Sequence, residues 1–242
     1  MQLSVTTIHD RASDAKHHCG CFNQVWLMHL RCIDRMALDP NYPYSLGARC
    51  INKDWFGMPM DDVWKIMEEN LHFCAHAFEI KIYLFVLMSN HYHLIAEAPL
   101  GNLSACMQYL QASTSRQITK SAGRINHTWR AKFFRTLMGS HHYYLNAYKY
   151  FYRNPVAAGI CNRVEDYRYS TLHGLLGRSH LFIPVVEDVT LFSDVEGTID
   201  WLNTKPKDGH SELMRKGLRR QVFKLPRDPK TGGKSELETD LF

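Results

Sequence analysis

The stretch from Ile80 to Ala96 constrains the chain more than any other. It is rich in β-branched and aromatic residues and is broken only by a polar Ser89-Asn90 corner. It reads as two strands meeting at that corner. The second strand carries His91-Tyr92-His93. On a strand, residues i and i+2 point to the same face, so the two imidazoles project side by side. That arrangement suits a single metal ion. With 14 histidines in 242 residues, about one His-x-His pair would arise from composition alone. The weight therefore rests on the setting, a polar corner followed by an apolar strand.

A second segment, His141 to Arg153, has no internal Gly or Pro and is followed by Asn154-Pro155. It reads as a helix with a stop signal at that dipeptide. Asn146, Tyr150 and Asn154 recur every fourth residue and line one ridge, while Tyr144, Ala147, Tyr148 and Phe151 make the neighbouring apolar ridge. A tyrosine one turn before an asparagine can hold its hydroxyl near a metal that the asparagine helps to bind. The same spacing also describes an aromatic-rich core helix, the commoner use of aromatics at helical intervals.

Met88-Ser89-Asn90-His91-Tyr92-His93-Leu94-Ile95 resembles the metal-binding strand of the single-tyrosine HUH transposases. Tyr150-Phe151-Tyr152-Arg153-Asn154-Pro155-Val156-Ala157-Ala158-Gly159 resembles the tyrosine helix of their REP-associated tyrosine transposase branch. Tyr167-Arg168-Tyr169-Ser170-Thr171 resembles the aromatic-Ser segment that follows it there. The resemblance spans Tyr44 to Gly177 in the family's order and separation. It implies His91 and His93 as metal ligands, Tyr150 as nucleophile and Asn154 as third ligand. Ser89 stands where the family usually has Pro, Tyr152 where it often has His, and Ala157 where it often has Arg. None of these removes a group the chemistry requires, although the last two bear on DNA contacts.

Composition sets outer limits. The length of 242 residues fits one domain with extensions, or two small ones. No apolar run reaches membrane-spanning length, and the start lacks a basic-then-apolar leader pattern. Seven scattered cysteines, an odd number, suit a reducing cytoplasm better than a disulfide framework. The net charge of +5 permits a nucleic-acid partner without demanding one.

The elements follow in an informative order. Tyr44 to Ile51 is a first strand. Asp61 to Phe78 is a helix with acidic residues in its first turn and an apolar stripe of Trp64, Met67, Leu71, Cys74 and Phe78. The two strands around Ser89 come next. Asn102 to Ala122 is a helix with Leu103, Met107, Leu110, Thr114 and Ile118 inward, and Lys132 to Met138 is a fourth strand. This βαββαβ order predicts an α+β fold, a ferredoxin-like sandwich with the tyrosine-bearing helix after it, and the resemblance implies the same HUH endonuclease fold. His72 and His76 lie one turn apart near a helix end, where imidazoles favourably meet the helix dipole. Three segments are expected: residues 1–35 as a poorly ordered extension or an over-long start before Met36, 36–178 as the catalytic domain, and 179–242 as a C-terminal extension. In the first, His17, His18, Cys19 and Cys21 fit no common structural zinc spacing. In the last, Ser193 is placed to cap a short helix through Trp201. Beyond it Arg215, Lys216, Arg219, Arg220, Lys224, Arg227 and Lys230 form a basic tail. Charge runs are usually solvated helix faces, but the density of positive charge here also suits a phosphate-contacting arm.

The expected chemistry is metal-dependent cleavage and strand transfer on single-stranded DNA. A phenol with an ordinary pKa near 10 is a poor nucleophile at neutral pH unless activated. Mg²⁺ or Mn²⁺ on His91, His93 and Asn154 would stabilise charge on the scissile phosphate. The resemblance implies hairpin-bearing single strands as partner and a 5′-phosphotyrosine intermediate. Trp129-Arg130-Ala131-Lys132-Phe133-Phe134-Arg135 interleaves cations with aromatics, as in segments that stack bases, or as in a core strand with its charges outward. Arg116 and Lys120, joined by Arg130, Lys132 and Arg135 and by Arg215, Arg219 and Arg220 of the tail, are the candidate DNA contacts. The protein is expected to be a cytoplasmic monomer or homodimer with no membrane partner. Two rivals stand beside this reading: a domesticated hairpin-binding protein that no longer cuts, and a metal-dependent phosphodiesterase acting through water.

Overall fold

A computed structural model describes residues 39–227 and 232–242. The expectations for residues 1–35, the start at Met36 and Lys230 lie outside the described residues.

Strand β1 (Tyr44–Arg49) leads to helix α1 (Met60–Ala77), followed by β2 (Lys81–Met88), β3 (His91–Glu97), helix α2 (Leu103–Ser121) and β4 (Phe134–Leu137). The sheet order is β2-β3-β1-β4, with each neighbouring pair antiparallel. This is the expected ferredoxin-like sandwich. β2 and β3 are joined at Ser89-Asn90, as the polar corner predicted. Alternation gives the sheet two faces. Leu46, Ala48, Tyr92, Leu94 and Ala96 take one of them and are buried. This is the side of α1 and α2: the Tyr92 ring meets the Trp129 ring edge-on at 5.2 Å, and the Trp129 indole donates to Thr114 Oγ1 of α2 at 2.9 Å. The expected inward residues of α2 are all buried. On α1 the buried stripe is Val63, Met67, Asn70, Leu71 and Cys74, while Trp64 stays partly exposed against Phe85.

The other face of the sheet receives helix α3 (His141–Ala157). Leu84, Val86, Met88 and Ile95 from the sheet pack in one core with Ala147, Tyr148, Phe151 and Tyr152 from the helix. Ser140 caps α3 by accepting from the Tyr143 N–H at 3.2 Å. The stop expected at Asn154-Pro155 falls one turn early, because Pro155 lies inside the helix. Near a C-terminus its missing N–H costs one intrahelical bond, and the turn still closes. Ala158 N donates to Asn154 O at 2.9 Å, Ile160 N donates to Pro155 O at 2.9 Å, and Gly159 reverses the chain at φ +70°.

The chain after α3 is built onto this core. Helix α4 (Thr171–Leu175) is capped by Ser170, α5 (Val189–Ser193) by Asp188 and α6 (Val195–Asn203) by Asp194; α7 spans His210–Gly217. Ser193 thus ends one helix, and Asp194, whose carboxylate accepts from Gly197 N at 2.9 Å, begins the next. Both open edges of the sheet are covered. On the β2 side Leu87 N donates to Tyr169 O at 2.9 Å, Tyr167 Oη donates to Leu87 O at 2.6 Å, and Phe85 N donates to Thr171 Oγ1 at 3.0 Å. On the β4 side Leu137 N donates to Gln221 O at 2.8 Å and Phe223 N donates to Leu137 O at 2.9 Å. Leu191, Leu202, Met214, Phe223, Leu225, Leu237 and Phe242 are buried in the core that holds α3. The basic run is therefore no free arm: its first residues end helix α7, and the chain after it is packed. Among the described residues no helix is long and apolar enough to cross a membrane.

Asn146 is one of the side chains that tie the C-terminal segment to α3. Fully buried Asn146 accepts from Phe242 N at 2.6 Å and donates to Leu237 O at 3.3 Å. Asn146→Ala would leave the buried Phe242 N–H without its acceptor, while Leu237 O keeps His142 Nε2 at 2.7 Å. We expect a loss of roughly 2 kcal/mol, read as a lower urea midpoint. An unchanged midpoint would show that these bonds contribute nothing to stability.

Candidate active site

The histidine pair sits on the second strand of the sheet order, bonded on both sides. His91 lies opposite Met88 and Arg49, and His93 lies opposite Val86 and Gly47. The ring centroids are 5.0 Å apart and the rings nearly perpendicular. His91 Nδ1 is 2.8 Å from Asn90 Oδ1, and the Asn90 amide nitrogen donates to Lys53 O at 2.7 Å. The second bond fixes which amide atom faces the ring. His91 Nδ1 must then carry the proton, and its Nε2 lone pair is left free. Lys53 presents that carbonyl from a turn in which Asn52 and Lys53 both take positive φ, 56° and 62°. Asn90 and Lys53 were not singled out in the sequence. The adjacent asparagine was the available sign of the first, and nothing marked the second.

His93 stacks on Phe151 of α3 at 4.5 Å and 19°, and its buried Nε2 has no hydrogen-bond partner. Burial pushes His91 down to about 4, helped by the positive charge of Arg49. Burial, then His91, then Arg49 hold His93 well below the ordinary histidine value. Both rings are therefore neutral at neutral pH, the state in which imidazole can ligate a metal.

Tyr150 and Asn154 are brought to this side of the sheet by α3, on which Phe151 is the residue stacked against His93. The side-chain nitrogen of Asn154 is buried without a partner. A half-turn of the amide would present oxygen at the same position, since the two atoms are nearly isosteric. Among the described residues no group of three or more His, Cys, Asp or Glu could hold a metal. Any third ligand joining the histidine pair would be of another type, such as an asparagine amide.

The tyrosines of α3 separate by environment. Tyr143 Oη donates to Glu238 at 2.6 Å, Tyr148 Oη donates to Asp188 at 2.7 Å, and Tyr152 Oη is 3.0 Å from Thr171 Oγ1. Tyr144 has its pKa raised by burial, then by Asp188 and Tyr83. Tyr150 differs: burial raises its pKa, but Arg215, Arg219 and Arg49 all act to lower it, against Glu212 alone. Its ring meets Phe242 edge-on at 5.4 Å. Arg215 itself is bound by Glu212 through two bonds of 2.7 and 2.8 Å.

The remaining candidate DNA contacts are dispersed. Arg215 and Arg219 reach the tyrosine from α7 and the turn after it, and Arg220 is exposed beside them. Arg130 is exposed, and its N–H donates to Arg49 O at 2.9 Å, so it adjoins the His91 end of the sheet. Lys132 is exposed in the loop before β4, a strand that begins at Phe134 and not at Lys132. Arg135, opposite Leu46, lies on the sheet face away from the histidines. Arg116 and Lys120 stand on the solvent side of α2, across the sheet from α3. His72, read as a dipole contact, instead stacks on Phe182 at 4.1 Å. Arg49 and Phe242 went unread in the sequence because only strand register and long-range packing bring them here.

Comparison with known proteins bears on the fold and on part of the sequence. The family model described as "Transposase IS200 like" matches residues 57–152, a stretch that holds His91, His93 and Tyr150 and ends before Asn154. A curated protein of Haemophilus influenzae, named as a REP-associated tyrosine transposase, is 25% identical over 111 residues, covering 41% of this chain and 62% of that protein. The match thus spans less than two thirds of the relative's length. A solved structure of a REP-associated tyrosine transposase bound to a REP hairpin superposes with a TM-score of 0.50 at 18% identity, over 64% of this chain and 90% of that one. That likeness is one of fold. The chain is thus similar to IS200-like transposases over residues 57–152, and to REP-associated tyrosine transposases in sequence over part of its length and in fold.

Proposed function

We propose that this protein cuts and rejoins single-stranded DNA beside a hairpin, with Tyr150 as the nucleophile. The observation that carries the reading is the environment of that phenol. On a helix with five tyrosines, Tyr150 is the one whose hydroxyl lies in the field of three arginines, while Tyr143 and Tyr148 are tied to carboxylates. Cationic groups around a phenol favour its ionised form and also draw in a phosphate. The hairpin in the solved neighbour supports the choice of partner.

His91, His93 and Asn154 fit a divalent cation, Mg²⁺ or Mn²⁺. The support is the unpartnered His93 Nε2, the free His91 Nε2 and the unpartnered Asn154 amide. Such an ion, when bound, supplies Lewis-acid stabilisation of charge on a phosphate oxygen. The chain's own residues account for the rest. Asn90 orients His91, and Phe151 fixes the plane of His93. The arginines hold the strand near Tyr150. Its oxygen bonds to phosphorus and its proton passes to solvent. The bond from phosphorus to the 3′ oxygen breaks, and that oxygen takes up a proton. One phosphodiester replaces another, so the step is near thermoneutral and the freed 3′-hydroxyl can reverse it.

A second reading, a hairpin binder without cleavage, is favoured by the Phe242 ring packed against Tyr150. One experiment separates the two. Incubation with a library of hairpins bearing single-stranded arms, in Mn²⁺, should yield a covalent DNA adduct that peptide mapping places on Tyr150. Tyr150→Phe should abolish the adduct and leave hairpin affinity within about twofold, because Phe keeps the ring and removes only the hydroxyl. Hairpin binding by the wild type without any adduct would favour the binder, and an adduct on another tyrosine would refute the assignment.

The metal site has its own test. His91→Ala with His93→Ala should weaken Mn²⁺ binding by at least about a hundredfold in calorimetry, and Asn154→Ala should weaken it less, since a neutral amide oxygen is the poorest of the three ligands. Unchanged affinity in the double variant would remove the site from this face of the sheet.

A further inference from the structure

The face of the sheet that carries the histidines continues past them, across β1 to β4. Directly opposed residues of antiparallel strands share a face with Cβ atoms about 4.5–5.5 Å apart. One row across the sheet reads Met88, His91, Arg49, and the next reads Val86, His93, Gly47, Phe134. Arg49 is exposed one strand from His91, and among the described residues no carboxylate pairs with it. That sets it apart from Arg124, Arg163, Arg168, Arg178 and Arg215, each of which has an acidic partner. An unpaired guanidinium beside neutral imidazoles is placed to take an anion, and its planar fork matches two phosphate oxygens.

The second row has no side chain in its middle, where Gly47 is buried. Gly47 carries no side chain, and a Cβ there would lie 2.7 Å from Tyr92 O, so the close approach of β1 to β3 keeps the position bare. On the far side stands Phe134, 64% exposed although it begins a strand. Two residues along the same face, Thr136 is buried and donates to Leu218 O at 2.8 Å. The cover over this face ends between the two. Phe134 and the unpaired Arg49 are thus exposed side chains on the face that carries His93, in adjoining rows.

We propose that Arg49 and Phe134 form a nucleotide subsite beside the scissile position, in which Arg49 holds a phosphate oxygen and Phe134 stacks the flanking base. A single strand lying from α7 across the histidines toward β4 would pass through it. Ring stacking accepts any base, so the subsite would hold the strand without reading its sequence. The proposal rests on the reading of Tyr150 as nucleophile for its place in the reaction, and on the sheet register for its geometry.

The test uses the full chain with two probes: a short fluorescein-labelled oligo(dT) strand for binding, and the hairpin library with Mn²⁺ for covalent adducts. Arg49→Ala should lower the log–log salt slope of oligo(dT) binding by about 0.7, and Arg49→Lys should keep it. Phe134→Ala should weaken oligo(dT) binding about tenfold, and Phe134→Trp, which still offers a stacking face, should not. Both side chains are exposed, so thermal melting should not move; the Lys and Trp variants guard against a loss that merely reflects misfolding. Wild-type slope in Arg49→Ala, or wild-type affinity in Phe134→Ala, overturns the proposal. Adducts from the wild type alongside unaffected variants leave the nucleophile standing and remove the subsite. Variant losses without any wild-type adduct leave the subsite standing and remove the nucleophile. No binding of oligo(dT) by the wild type removes the subsite, and the adduct arm still decides the nucleophile.

Discussion

The two-sided pairing of β3 is the constraint on which the rest depends. Hydrogen-bonded to β1 and to β2, the strand cannot slip by one residue without turning Tyr92 and Leu94 toward α3 and both histidines into the apolar layer under α1 and α2. That register is over-determined. Tyr92 is locked against Trp129 and Phe85 on one face, and His93 against Phe151 on the other. A pair of imidazoles held this way loses little freedom on binding an ion, and burial has already removed the competing protons.

The tyrosine poses the opposite problem. Burial favours the protonated phenol, so the packing that positions Tyr150 also works against its ionisation. Cations brought from two separate parts of the chain oppose this without overcoming it: Arg49 from the first strand, and Arg215 and Arg219 from the C-terminal helix and the turn after it. Glu212 engages Arg215 through both of its bonds and tempers that field. The arrangement makes the C-terminal extension part of the electrostatics of the site as well as part of the core.

The chain after α3 also explains why both edges of this four-stranded sheet are covered. Segments around Tyr167 to Thr171 bond to β2, and segments around Gln221 to Phe223 bond to β4. Unpaired strand edges invite association with other chains, and covering them restricts which surfaces remain open for a partner. The aromatic-Ser segment has a structural role in this: its Tyr167 hydroxyl and Tyr169 carbonyl engage the backbone of Leu87, and its Ser170 caps α4.

Much of this was legible in the chain itself. The period of two around His91 and His93 and the helical stripes of Met67 and Leu71 and of Leu103 to Ile118 are local consequences of backbone geometry, and so they determined the βαββαβ order and the adjacency of the imidazoles. The fourfold spacing of Tyr150 and Asn154 likewise put both on one helix ridge. Other features depend on distance in the chain. Pro155 reads as a stop, yet later turns supply the bonds that let the helix continue. The basic run reads as an arm, yet Phe223, Leu237 and Phe242 bury the segments after it. Arg49 carries no motif and gains meaning only because register sets it opposite His91. Local periodicity follows from bonds between near neighbours, which a sequence displays directly. The partners of Asn146, the field at Tyr150 and the closure of the sheet edges arise from residues tens of positions apart, and only the packed tertiary structure decides which of them meet.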